Sequence, residues 1–185
     1  MPKIAEIEAT PNPNAYRFVL KEPLTLGVPK AFASGETAKA DALAAALFAI
    51  AGVTNVYYVD KWITITQDGN QPWPYLLKQL AEPIRSAAAA TMADYEEQDD
   101  LLCEGELDDD SDPRIADIRQ ILQEKVRPAL MADGGDIRIV GLSGNKLTVR
   151  YFGACGSCPS SLSGTLGAIQ NLVNTIDPDI EVVVV

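Results

Sequence analysis

Between Asp94 and Asp112 the chain carries 11 acidic residues and not one lysine or arginine, and a single hydrophobic core cannot be threaded through such a run. Like charges at that density repel and keep a segment extended and solvated, so the sequence on either side must fold on its own. The charge balance agrees. Of the 26 acidic residues, 15 lie outside this window and equal the 15 lysines and arginines, so the formal net charge of −11 belongs to the window alone. The 185 residues therefore read as two small domains, 1–93 and 113–185, joined by an acidic tether over 94–112. A flexible chain of that length has an end-to-end distance of roughly 25 Å, more when it repels itself. A solvated spacer is the simpler reading of the run; docking on a basic partner is the other.

A sequence pI near 4.4 with no basic patch argues against nucleic acid, whose phosphates are met by clustered Lys and Arg. No run of about 18 apolar residues is present to span a membrane. The first residues, Met-Pro-Lys-Ile-Ala-Glu, show neither an apolar signal core nor an Arg-rich presequence, so the expectation is a cytoplasmic, unprocessed chain. Three cysteines, two of them crowded together, do not make a secreted disulfide framework.

The N-terminal segment opens with a strand over 4–10, a turn at Pro11-Asn12-Pro13-Asn14 and a second strand over 16–20. Leu43, Leu47 and Phe48 at helical spacing among alanines predict a helix over 39–50, begun near Ser34 or Thr37 and ended by Gly52. Strands over 53–59 and 62–66 follow, joined at Asp60-Lys61; Trp62, Thr64 and Thr66 alternate with Ile63 and Ile65, as when one sheet face is buried. A helix over 73–90 places Leu76, Leu77, Leu80 and Ile84 on one face, with Pro83 as a kink. This segment shows no titratable cluster, no cysteine and no phosphate-binding glycine loop.

In the C-terminal segment Asp112-Pro113 starts a helix whose stripe is Ile115, Ile118, Ile121, Leu122 and Val126, bent in its last turns by Pro128. Asp133-Gly134-Gly135-Asp136 breaks it. Strands over 137–140 and 147–151 form a hairpin about Ser143-Gly144-Asn145. Leu162, Leu166, Ile169, Leu172, Val173 and Ile176 then mark a second helix with Pro159 at its first position, and 180–185 is a closing strand. The order is α-β-β-α-β, and both domains are α+β.

Cys155 and Cys158 stand three positions apart between the hairpin and this helix, on a chain with no histidine. A [4Fe–4S] cluster or a thiolate zinc site takes about four cysteine ligands, so two from one chain leave it open. Unpaired N–H groups in a helix's first turn carry partial positive charge, which favours thiolates and an anionic metal–sulfur centre. Gly153 and Gly156 free the backbone to curl around the sulfurs, and small Ala154 and Ser157 leave room for an inorganic core or a second copy of the loop. Three readings stand side by side: a loop with two incidental cysteines, a dithiol–disulfide oxidoreductase, and a metal or iron–sulfur site completed by dimerisation. Against the second, no βαβ unit precedes the pair and Pro159 follows it rather than lying between the cysteines. Spacing alone does not separate the last two.

Asp133-Gly134-Gly135-Asp136, the hairpin and Gly153-Ala154-Cys155-Gly156-Ser157-Cys158-Pro159-Ser160-Ser161 together resemble the NifU C-terminal domain, the module of Nfu-type iron–sulfur proteins. Glu124-Lys125-Val126-Arg127-Pro128-Ala129-Leu130 also matches its pattern. Upstream, Thr10-Pro11-Asn12-Pro13-Asn14-Ala15, Leu47-Phe48-Ala49-Ile50-Ala51-Gly52-Val53 and Trp62-Ile63-Thr64-Ile65-Thr66 resemble the Nfu N-terminal domain. Two departures are Gly-Ser between the cysteines, where many relatives have Ser-Gly, and Gly167 where a Lys is common. The resemblance implies that Cys155 and Cys158 ligate a labile [4Fe–4S] cluster bridging a homodimer, both thiolates coming from each subunit. It implies a carrier or scaffold rather than an enzyme, receiving or assembling clusters and passing them to apo-proteins, with an upstream assembly scaffold as a further partner. On this reading Cys103 is a bystander, and 1–93 recognises clients or assembly partners. A structural zinc-bridged dimer is the remaining alternative.

Overall fold

The structure, a computed structural model, describes residues 2–90, 112–157 and 159–185, the side chains of 157–163 excepted. Cys103, Cys158 and the tether as far as Ser111 lie outside these residues. Two compact units divide within the acidic run.

In the N-terminal unit five strands alternate in direction through one antiparallel sheet, β1 (Ile4–Ala9), β2 (Ala15–Leu20), β3 (Lys30–Phe32), β4 (Val53–Val59) and β5 (Trp62–Gln67), in the order β1-β2-β5-β4-β3. Helices α1 (Ala42–Phe48) and α2 (Trp73–Ser86) supply Leu47, Leu76, Leu80 and Ile84 to a core with Phe18, Leu20, Val56, Ile63 and Ile65. Asp60 links β4 to β5 at φ 49°, a left-handed position that Asp tolerates.

Three expectations for this unit change. The helix begins at Ala42, not at Ser34 or Thr37: Ser34 Oγ accepts from Thr37 N at 3.3 Å to close a turn, while Asp41 Oδ1 accepts from Ala44 N at 2.9 Å as the true N-cap. The last helix stops at Ser86, although four alanines follow, because Ala87 turns extended (ψ 154°) and Ala90 N donates to Pro23 O at 2.8 Å. A tertiary hydrogen bond overrides local propensity there. Strand β5 is buried on both faces: Thr64 is 2% exposed, flanked in register by Arg17 of β2 and Tyr57 of β4, long side chains that cover a short one on a central strand.

In the C-terminal unit Asp112 accepts from Arg114 N at 2.9 Å and starts α3 (Pro113–Lys125). The expected bend at Pro128 is a break. Pro128 has no N–H for the carbonyl four residues back, and a separate helix α4 (Arg127–Ala132) follows Val126, making the order α-α-β-β-α-β. Strands β6 (Gly135–Ser143) and β7 (Lys146–Gly153) pair about Gly144-Asn145, with Gly144 at φ 61° as a two-residue hairpin demands. After α5 (Pro159–Val173), β8 (Glu181–Val184) returns parallel to β7, giving a sheet ordered β6-β7-β8. Ile115, Ile118, Leu122, Leu130, Ile169 and Val173 pack on Leu147, Val149 and Tyr151, all on one side of the sheet. Arg114 ties the ends together, donating to Asp112, to Asp177 Oδ2 at 2.8 Å and to Gly144 O at 2.8 Å. Both units are α+β.

Candidate metal centre at the end of strand β7

Strand β7 ends at Gly153, held at φ 64°, and the chain drops into one 3₁₀ turn, Ala154–Ser157, before α5 begins at Pro159. This places Cys155 between a strand end and a helix start, as the sequence predicts. Its side chain does not line an open loop. Cys155 is 1% exposed and joins the hydrophobic core, and Ala154 is equally buried, so the room expected around them is filled in this state.

The filler is backbone. Gly135 sits opposite Gly153 in the hairpin register, so close that a Cβ on it would lie 2.5 Å from Cys155 Sγ and 2.7 Å from Phe152 O. Only glycine fits there. Gly134 adopts φ 80°, and its carbonyl accepts from Ala154 N at 3.1 Å, locking the two loops together. Behind them, Arg127 at the start of α4 grips Asp136 with two hydrogen bonds, Nε to Oδ1 at 2.8 Å and Nη2 to Oδ2 at 2.9 Å. Asp136 is 1% exposed and also accepts from Ile137 N at 2.9 Å. This forked pair sets where β6 starts and so where the Gly134-Gly135 wall stands. Arg127 and Asp136 enter the sequence reading only as parts of a matching pattern. A charged residue beside a glycine pair is the signal that could have marked them as the anchor.

Tyr151, also on β7, is 6% exposed, and its hydroxyl is buried with no hydrogen-bond partner. Burial, and then the nearby Cys155 thiolate, push its pKa up to about 12. A buried hydroxyl without an acceptor carries a desolvation penalty. It is free to donate to an electron-rich group held at this loop. Among the described residues no three His, Cys, Asp or Glu side chains converge, and Cys158 lies outside them. The donor set of Cys155 with an orphan hydroxyl beside it, at the head of a 15-residue helix, suits an anionic, sulfur-rich group.

The N-terminal unit does contain the titratable cluster that the sequence did not reveal. Tyr58 Oη and Lys30 Nζ both donate to Asp41 Oδ2, the latter at 3.1 Å, at the edge of a groove of about 370 Å³. Burial alone would raise the Asp41 carboxyl, but the Ala44 N–H, the Tyr58 hydroxyl and the Lys30 ammonium together hold it below the usual carboxylate range. Because Asp41 caps α1, the cluster fastens that helix to β3 and β4. Its members lie 11 and 17 residues apart, which hides it from any local pattern.

Two family models match in domain order: "Scaffold protein Nfu/NifU N terminal" over residues 4–91 and "NifU-like domain" over 118–184. The chain is 29% identical over 177 residues to the mitochondrial NFU1 iron-sulfur cluster scaffold homolog of Drosophila ananassae, and 28% identical to that of Drosophila persimilis. Each match takes in 95% of this chain and 62% of the relative, so the chain spans under two thirds of the length of the curated relatives it matches. Among solved structures, the crystal structure of protein SAV1430 from Staphylococcus aureus is 18% identical over 44% of this chain and 98% of its own. Its TM-score of 0.39 is too low a likeness to bear on the fold. These relatives are named as mitochondrial, which overturns the cytoplasmic expectation. That expectation leaned on the first residues, whereas a targeting segment is an address read by a receptor and leaves no mark on the folded domains. With both of its domains matched, and in the same order, the chain belongs to the Nfu family of NifU-like proteins.

Proposed function

We propose that this chain is an iron–sulfur cluster scaffold and carrier, whose cargo is a [4Fe–4S] cluster bridging two copies, with Cys155 and Cys158 of each copy as its ligands. The observation that carries the proposal is the placement of Cys155: directly after a strand, ahead of a helix N-terminus, walled by a glycine pair and beside a hydroxyl without a partner. The names of its relatives, iron-sulfur cluster scaffold homologs, support an iron–sulfur cluster as the cargo. Two thiols per chain supply half of the sulfur ligands such a cluster takes, so a second copy completes the set. A site split across an interface opens when the copies part, as befits cargo that is handed on to apo-proteins. No chemical turnover is needed for that role. The N-terminal domain then selects clients or the upstream scaffold that fills the site. Deleting it should leave cluster binding intact and slow transfer to some clients, and equal transfer to every client would refute that part.

The decisive experiment is anaerobic reconstitution of the full chain with ferrous iron and sulfide. The expected product is a coloured dimer with about four iron and four sulfide per pair of chains, lost on Cys155→Ala or Cys158→Ala. A monomer that stays colourless refutes the proposal. Zinc retained in place of iron would mean a structural dimer, and turnover of a disulfide substrate would mean an oxidoreductase.

A further inference from the structure

The groove of about 370 Å³ in the N-terminal unit is lined by α1, by the last turn of α2, by the stretch Ala87–Ala90 that follows it, and by Leu24, Lys30, Asp41 and Tyr58. Leu24, Leu43 and Pro83 supply apolar surface, while alanines at 42, 46 and 87–90 take up little room, so another backbone can come close. The charged groups are joined to one another. Asp41 has both oxygens engaged, Oδ1 by Ala44 N at 2.9 Å and Oδ2 by Tyr58 and Lys30, and Tyr58 gives its one proton to that carboxylate. Lys30 differs. An ammonium has three N–H donors, and among the described residues Lys30 donates once, to Asp41 at 3.1 Å, with its side chain 27% exposed and its Nζ 5.8 Å from the centroid of the Tyr58 ring. The groove therefore presents a charged donor with capacity left, and it favours a ligand that brings an anionic acceptor.

The Ala87–Ala90 wall supplies a second kind of partner. Ala87 is extended (φ −61°, ψ 154°), and the Ala90 N–H is held by Pro23 O at 2.8 Å. Between them, neither the N–H nor the carbonyl of Ala88 or Ala89 bonds to another described residue. Open groups on extended backbone are a template for a second extended chain. We infer that the groove takes the carboxyl-terminal residues of an extended, apolar peptide, whose terminal carboxylate is bound by Lys30 and whose backbone pairs with Ala88 and Ala89. Four extended residues span about 13 Å, so the site reads roughly the last four residues of its ligand. A terminal carboxylate suits it better than an acidic side chain, because it is borne on the backbone itself and needs no deep pocket among the alanines. The site gives chemical content to the client-selecting role proposed for residues 1–93, and the origin of the peptide in a client rests on that reading.

The test is amide NMR of the full metal-free chain with the peptide acetyl-Ser-Ala-Val-Ala-Val, offered once as the free acid and once as the terminal amide. The free acid should shift the signals of Lys30 and of residues 86–90, and should bind roughly tenfold tighter than the amide or better, the worth of one hydrogen bond to a charged group. Lys30→Met keeps the aliphatic stem and should remove that preference. Ala46→Trp, at an exposed position of α1, should block both peptides. Equal binding of acid and amide to the native chain would overturn the inference. So would a preference for the acid that survives Lys30→Met, shifts confined to residues outside the groove, or no binding of either peptide at millimolar concentration. An amidated peptide with an internal glutamate that binds as tightly as the free acid would also overturn it, assigning the groove to acidic side chains. No iron is present in this experiment, so the peptide can fail to bind while reconstitution still yields a cluster, and reconstitution can fail while the peptide binds.

Discussion

The glycine wall behind Cys155 allows a quantitative test in Gly135→Ala. The new methyl group would lie 2.5 Å from Cys155 Sγ, 2.8 Å from Cys155 Cβ and 2.7 Å from Phe152 O. A cysteine side chain can rotate away, but the Phe152 carbonyl belongs to β7, paired with β6 on one side and β8 on the other, so the strand itself must shift. Overpacking of this kind costs about 1–3 kcal/mol where side chains can adapt, and a backbone obstacle puts this site at the upper end, about 3 kcal/mol. For a domain of this size each kcal/mol moves the melting temperature by about 4–8 °C, so the C-terminal unit should melt roughly 12–24 °C lower. Gly144→Ala is the control: its φ of 61° strains an alanine, yet nothing lies within 4 Å of the added carbon. It should cost only about 1–2 kcal/mol. Calorimetry of the full chain reads both, and alkylation of Cys155, 1% exposed in the native fold, should accelerate in Gly135→Ala but not in Gly144→Ala. Equal melting of Gly135→Ala and the native chain, with Cys155 equally protected, would refute the packing argument.

Arg127→Gln should destabilise the C-terminal unit by about 3 kcal/mol in urea unfolding, the low end for stranding a buried carboxylate because the arginine itself is partly exposed. Arg127→Met with Asp136→Leu should cost less than Arg127→Gln, since no charge is left behind. Arg114 holds the Asp112 carboxyl down to about 2 through side-chain and backbone hydrogen bonds, and lowers Asp177 as well. Carboxylates with folded pKa values below the unfolded value of about 3.9 stabilise the fold above that pH. The stability advantage of the native chain over Arg114→Gln should therefore be full above about pH 4 and vanish as pH falls toward about 2, read from unfolding midpoints across that range. Tyr151→Phe removes a hydroxyl that bonds to nothing, so the metal-free chain should be as stable or more so by the same unfolding assay. The reconstituted cluster should be lost faster if that hydroxyl serves it.

Much of the fold is legible because its signals are local. The turn at Pro11-Asn12-Pro13-Asn14, the hairpin about Gly144-Asn145 and the start at Asp112-Pro113 each act within a few residues, through fixed φ values or a side-chain cap. The misses share the opposite property. Strand β3 is three residues long and exists because Ala31 pairs with Tyr57 across 26 positions of sequence. Asp41, rather than Ser34, starts α1 because Lys30 and Tyr58 fix its carboxylate. The halt of α2 at Ser86, ahead of four alanines, depends on the carbonyl of Pro23. The parallel pairing of β8 with β7 has no local signature, since only the crossover through α5 brings them together.

The site divides along the same line, and the division bears on mechanism. That Cys155 stands between a strand end and a helix start follows from periodicity and Pro159. Its burial follows from Gly135, which lies 20 positions away in sequence yet touches the sulfur. If Cys155 serves the proposed ligand set shared with another chain, its thiol, 1% exposed, reaches that set only once the 154–157 turn re-forms. On that proposal cluster loading would be coupled to local opening, and the apparent affinity would be the intrinsic one multiplied by the open fraction. Opening sacrifices the hydrogen bond from Ala154 N to Gly134 O and the packing of Cys155 in the core, whereas the Arg127–Asp136 pair can stay in place. The turn is thus the part that yields and the ion pair the part that holds. A carrier of the proposed kind would gain from this arrangement twice: its thiol is sheltered while empty, and the closed form would compete with the cargo when it is time to release it.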